Sequence, residues 1–318
     1  MRSRPSPASA VAATAVLLAT ATIGAAASAS SAAVAPAGAP AATATVSGDA
    51  MHFGLGGGPV PGGAVTVLER PDLTTTTDAD GHWVLDGLVV GDDATFVLTA
   101  TGRPVVQTAT FTVPAGGLER VAFQSPDDQI FAGFAQVLRI TPDPTRCQVA
   151  STVTRRGHSV YGPAGSHGEP GAVAWIDPAP ASADGPVYFN LIDAGLIWPD
   201  RSLDRTTDDG GVVWTNVSPG TYTLRASLAG ADIAPARITC RPGVLVNASP
   251  PWGLQVVAGG LEPDAPYPTT TTTTAVPSTV SSTVPSIVPA PPPSAAAAPA
   301  AGGGTSGGAP SLTPAFAG

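Results

Sequence analysis

The sequence predicts an all-β protein: two tandem β-sandwiches joined by a short helix, with disordered termini. Three observations predict it. Apolar and polar residues alternate with period two, as in Phe96, Leu98 and Ala100 against Thr95, Val97 and Thr99, the pattern of half-buried strands. Asp-Gly and Pro-Gly pairs separate such segments and mark turns. The pattern also occurs twice. Thr76-Thr77-Asp78-Ala79-Asp80-Gly81, followed by Trp83 and Thr95-Phe96-Val97-Leu98, is echoed by Thr206-Thr207-Asp208-Asp209-Gly210-Gly211, Trp214 and Thr221-Tyr222-Thr223-Leu224.

Composition excludes the main alternatives. The 318 residues include 37 Gly and 35 Pro, and only 12% are charged. Gly and Pro interrupt helices, and the charges that solvate long helices are missing, so a coiled coil or helical bundle is ruled out. All 14 positive charges are arginines, and no lysine occurs. Schiff-base chemistry and a phosphate-binding P-loop lysine are therefore excluded.

The ends read differently from the middle. Arg2 and Arg4 precede an uncharged alanine-rich stretch that ends at Ala27-Ser28-Ala29, which predicts a secretory signal peptide over 1–29. The alternative is an uncleaved anchor, but so few leucines partition weakly into hydrocarbon and no basic flank follows. Cleavage removes two arginines and shifts the net charge from −9 to −11. Such a chain repels nucleic acid and anionic membranes, so neither is an expected partner and no stable membrane insertion is expected after cleavage. Residues 30–40 read as a disordered linker. Residues 263–318 carry six consecutive threonines, a triple proline and glycine runs, and read as a disordered tail or a glycosylated stalk. Gly304-Thr305-Ser306-Gly307-Gly308 in that tail matches a nucleophile elbow only formally, because it lacks the strand-to-helix turn that strains the serine.

The first sandwich is placed at 41–124, with strands near 44–47, 64–69, 82–86, 94–101, 108–113 and 119–123. The second is placed at 145–262, with its clearest strands near 147–154, 172–176, 211–215, 221–227 and 236–241. Between them, 125–144, Ser125 reads as a capping residue with Pro126 in the first turn and Asp127 and Asp128 at the positive end. Ile130, Phe131, Phe134, Val137 and Leu138 follow at helical spacing. This amphipathic helix is expected to pack on a sandwich, the alternative being a stripe that binds a partner. Cys147 and Cys240 lie 93 positions apart and are expected to form a disulfide, because the exported compartment is oxidising. Closing so long a loop is worth about 4–5 kcal/mol in the chain-entropy account. A redox or metal thiol pair would instead want close spacing.

The turn before Ala64-Val65-Thr66-Val67, then Thr77-Asp78-Ala79-Asp80-Gly81 and Gly91, resembles the carboxypeptidase regulatory-like domain. The resemblance implies a transthyretin-like (prealbumin-like) Greek-key sandwich close to the carbohydrate-binding-like folds, and the second copy, through Pro219-Gly220-Thr221-Tyr222, looks like the same module. It covers about half of each sandwich and implies nothing about activity, since such modules accompany many functions. The pattern is also similar to the B-type repeats of surface adhesins, whose Lys–Asn crosslink this lysine-free chain has no amine to form.

Candidate chemistry is sparse. Asp78-Ala79-Asp80-Gly81 begins like a calcium loop but continues into Trp83-Val84-Leu85, so a turn is favoured. His158, His167 and Glu169 share a Gly/Pro-rich loop at a spacing that fits no common metal site. Trp83 and Trp214 read as core. Trp198 and Trp252, in turn-like contexts, are the weak candidates for ligand contact by stacking on a sugar, with packing as the alternative. No catalytic residue, cofactor or metal is expected. The sequence thus predicts a secreted or cell-surface-associated, non-enzymatic structural or interaction module, partnered by an extracellular protein or polysaccharide. The alternative is a carbohydrate-binding protein.

Overall fold

The strands of the first half are β1 (Thr43–His52), β2 (Ala64–Val67), β3 (Thr74–Thr76), β4 (His82–Val89), β5 (Asp93–Thr99), β6 (Val106–Thr112) and β7 (Phe123–Ser125). One helix follows, α1 (Asp128–Leu138). The second half contributes β8 (Cys147–Thr154), β9 (Val173–Asp177), β10 (Asp184–Asp193), β11 (Leu196–Asp200), β12 (Gly211–Val217), β13 (Gly220–Ser227), β14 (Ala231–Ile233), β15 (Ala236–Cys240), β16 (Leu245–Asn247) and β17 (Leu254–Gly259). A two-residue strand, β18 (Phe316–Ala317), runs antiparallel to the start of β11. The computed structural model describes residues 41–263, apart from 55–56, 162–166, 194–195, 250 and 252, together with 316–317. The expected leader, linker and most of the tail lie outside the described residues, as does Trp252. Among the described residues no helix is long and apolar enough to cross a membrane.

Among the described residues the protein is mainly β, with one short helix and two sheets. The smaller sheet has the order β4-β1-β7, and the larger links fifteen strands from both halves. Alternation places the cores as expected. In β1, Ala44, Val46 and Ala50 are buried; in β4, Trp83 and Leu85 are, and Trp83 packs on Phe96 and Phe123 with ring centroids 5.2 and 6.0 Å apart. A second cluster gathers Val149, Tyr188, Trp214, Leu224 and Ile238 around the Cys147–Cys240 disulfide. That disulfide joins the first residue of β8 to the last of β15, with Cα atoms 5.6 Å apart.

Strand β6 joins the halves. One edge pairs antiparallel with β5; the other pairs Thr110 with Arg237 of β15, and Val106 and Gln107 in parallel with Leu245 and Val246 of β16. Buried Gln107 donates from Nε2 to the Thr239 carbonyl at 2.7 Å, and its Oε1 accepts from Arg241 Nε at 2.8 Å. At the exposed rim Arg237 forks onto both oxygens of Asp93, at 2.7 and 2.6 Å. Accordingly Ala109 lies in the second cluster, Leu245 in the first, and Phe111 packs against both.

Two local expectations change. The helix cap is Asp127, not Ser125: the Asp127 carboxylate accepts the Ile130 N–H at 2.7 Å. Ser125 is the last residue of β7, its carbonyl accepts the Phe53 N–H, and the chain turns through Pro126 before it can wind. The strand expected at 119–123 starts only at Phe123, because Arg120 adopts φ 61°, a left-handed conformation that breaks extension. The helix closes on Arg139 at φ 55°, whose N–H reaches the Gln136 carbonyl at 3.0 Å.

Replacing Cys147 and Cys240 together by alanine is expected to lower unfolding stability by about 2–5 kcal/mol. The shift in urea midpoint between the two proteins measures it.

Candidate functional site

The candidate site lies where α1 covers the outer face of the β8-β12-β10 sheet. Period two decides which side chains face it. In β8, Cys147, Val149 and Val153 enter the disulfide-bonded core, so Gln148, Ala150 and Thr152 point the other way. In β12, Val212 and Trp214 are core, leaving Gly211, Val213 and Thr215 outward; register with β10 sets Val187 beside Val213 on that face. Strands usually show water such a face. Here the helix covers it. Phe134 and Leu138 pack with Val187, Phe189, Ile197 and Val213 in a third cluster. The Phe134 ring sits edge-on to Phe189, centroids 5.9 Å apart, and 5.9 Å from Phe53 on its other side.

Helix and sheet do not close completely. Of the helix side chains only Leu138 is buried, and a cavity of about 120 Å³ remains between the layers. Most polar side chains on its walls are paired. Gln148 exchanges bonds with Asn216 at 3.0 and 3.1 Å, Thr152 Oγ1 and Ser249 Oγ lie 2.9 Å apart, and Asn247 Nδ2 donates to the Gln124 carbonyl at 3.2 Å.

Asp209 differs. It sits in the turn Thr207-Asp208-Asp209-Gly210, closed by the Gly210 N–H on the Thr207 carbonyl at 2.9 Å, with Gly210 at φ 72°. Its side chain is only 9% exposed and lines the cavity. Oδ2 accepts the Gly211 N–H at 3.0 Å, and Oδ1 has no hydrogen-bond donor among the described residues. Burial raises its pKa to about 6, partly offset by that N–H. A Cβ at Gly211 would meet Asp209 Oδ2 and lie 3.0 Å from the Phe189 ring, so a larger residue there would displace the carboxylate.

The residues singled out in the sequence are placed apart. His158 Nε2 lies 2.7 Å from the Pro263 carbonyl; buried Glu169 accepts the Leu261 N–H at 2.8 Å; His167 lines the cavity. With the Arg156–Glu262 ion pair at 2.9 Å, the first two fasten the root of the tail. Asp78 Oδ1 accepts the Asp80 and His82 N–H groups, both at 2.9 Å, within its own turn. Trp198 is half-buried in β11 and packs against the helix–sheet cluster. Trp175, unremarked in sequence, is 41% exposed on β9, an edge strand, with Arg225 opposite it and the Arg225–Asp177 pair alongside. The sequence signal for the cavity was the turn Thr207–Gly211, read only as a turn; its carboxylate's burial depends on a helix remote in sequence.

These features define a class: a β-sheet module with a helix-capped cavity. No protein-family model and no curated protein matches the chain, so no family assignment supports the resemblance to carboxypeptidase regulatory-like domains. Among solved structures the chain is similar to the TIE protein of Bacillus anthracis, at 14% identity and a TM-score of 0.22; the match covers 65% of this chain and 33% of that one. It is also similar to GBS52, the minor pilin of Streptococcus agalactiae, at 8% identity, TM-score 0.21 and coverage of 71% and 99%. The shaft pilin SpaA of Lactobacillus rhamnosus GG matches at 14% identity, TM-score 0.19 and coverage of 65% and 98%. Likenesses at these TM-scores carry no functional argument.

The raised pKa of Asp209 has a defined sign. The folded acid holds its proton up to about pH 6, while an unfolded aspartate releases it near pH 3.9. Its contribution is therefore greatest below the unfolded value and is lost as pH rises through about 6. Between about pH 4 and pH 7, the stability of the wild type relative to Asp209→Asn is expected to fall by up to about 3 kcal/mol, as read by urea unfolding at both pH values.

Proposed function

We propose that this chain is an exported, non-catalytic structural or interaction module, built of two β-sandwich units within 41–262 held as one body. The observation that carries this reading is β6, whose two edges pair with strands of both halves. A hinge between the halves would leave its backbone groups unpaired in a buried strand, and the Gln107 and Arg237 bonds would break with it. The Cys147–Cys240 disulfide fits an oxidising compartment outside the cell. Hydrogen exchange followed by mass spectrometry is expected to show β1, β4, β8 and β13 opening with one common free energy. Separate opening of the two halves overturns the one-body reading, and turnover of chromogenic ester, peptide or glycoside substrates overturns the non-catalytic one.

A second reading, polysaccharide binding, draws support from Trp175. Its exposed ring on the edge strand β9, beside the Arg225–Asp177 pair, has the form of a sugar-stacking platform. Binding to insoluble polysaccharides that Trp175→Ala abolishes would carry this reading; equal retention by both proteins would end it.

A further inference from the structure

The cavity under α1 carries an inference independent of the module reading. Its walls are mainly apolar and aromatic: Phe53 from the segment after β1, Phe134 and Leu138 from the helix, Phe189 and Val213 from the sheet. Its volume of about 120 Å³ is close to the ~150 Å³ of an apolar cavity that takes up benzene. Four phenylalanine rings line it, those of Phe53, Phe131, Phe134 and Phe189, and Phe134 already meets Phe53 tilted at 33° and Phe189 at 72°. These are the arrangements that aromatic rings prefer over face-to-face stacking, so a further ring would find edges and faces to meet.

Two polar atoms on the cavity walls have no protein partner among the described residues: Thr215 Oγ1, which is buried, and Asp209 Oδ1. Gln148, Thr152 and Asn247 on its walls are satisfied by protein partners. Asp209 Oδ1 is not, and this side chain is nine-tenths buried with its other oxygen already bonded to Gly211. An acceptor without a protein donor at the margin of an apolar cavity is open to a hydroxyl carried by an occupant. Water would satisfy the oxygen but not the apolar remainder of the space. An occupant carrying its own carboxylate would meet the like charge of Asp209 at neutral pH.

We propose that this cavity binds a monocyclic phenol, its ring held among Phe53, Phe134 and Phe189 and its hydroxyl donating to Asp209 Oδ1. The test uses the full chain, with phenol, toluene and benzoate as probes in calorimetric titration and thermal melts at neutral pH. Phenol is expected to raise the melting temperature saturably and to bind about tenfold more tightly than toluene, the worth of one hydrogen bond to a charged group. Benzoate is expected not to bind. Filling the space with Ala150→Leu or, from the helix side, Ala135→Leu is expected to abolish phenol binding while circular dichroism stays unchanged. Two filling variants on different elements guard against a folding defect in either. Absence of any phenol-dependent shift overturns the proposal. So does equal affinity for phenol and toluene, or phenol binding that survives in whichever filled variants fold. The readout depends on ligand, so its failure leaves the one-body reading intact, and separate opening of the halves does not count against the cavity.

Discussion

A β-strand has two hydrogen-bonding edges, and β6 commits one to each half of the protein. Its antiparallel edge completes the sheet of the first half through β5, and its other edge receives β15 and β16. Everything else is arranged around that commitment. Val106 enters one core and Ala109 the other, because side chains of a single strand alternate between faces that belong to different clusters. Leu245 crosses into the first cluster because β16 is held beside β6. The exposed Arg237–Asp93 fork adds little energy at a solvated rim, whereas buried Gln107, bonded to Thr239 and Arg241, fixes the register.

The helix-capped face follows from the same arrangement. β7 leads from the first half directly into α1, and β8 continues from it after a short connection. The helix thus has little freedom to go elsewhere than the outer face of β8, β12 and β10, where its apolar stripe finds Phe189, Ile197 and Val213. The eleven-residue helix does not fill that face, and among its side chains only Leu138 is buried. The remaining space traps Asp209 at its margin. Water cannot solvate that carboxylate well, and burial raises its pKa.

Much of the fold was legible because short-range rules govern it. The strands β8, β12, β13 and β15 and the paired Trp83 and Trp214 follow from alternation and turn residues, which act over a few positions. β10 and β11 escaped because each carries a proline, Pro186 and Pro199, and the Trp198 context reads as turn-like. In the structure Pro186 lies in a register shift of β10, and Pro199 lies in β11 opposite Phe189, so neither breaks its strand. The candidate site was less legible. Trp198 attracted attention as an aromatic beside a proline, yet it packs on the helix–sheet cluster, while Trp175 carries the exposed ring. Asp209 was visible only as a turn residue, since no local pattern reports how deeply a turn is covered.

By itself the sequence determined what depends on neighbours along the chain. It set the all-β class, the turn positions, the helix between the halves and the pair of distant cysteines that the fold joins. The missing lysine likewise closed off amine chemistry without any structure. Tertiary structure alone decided which strand joins the halves, which sheet face the helix covers, and that the Asp209 carboxylate lines the cavity beneath the helix. The reason is physical. Periodicity and turn chemistry are local, whereas edge pairing and desolvation depend on segments more than a hundred residues apart, such as Gln107 and Thr239.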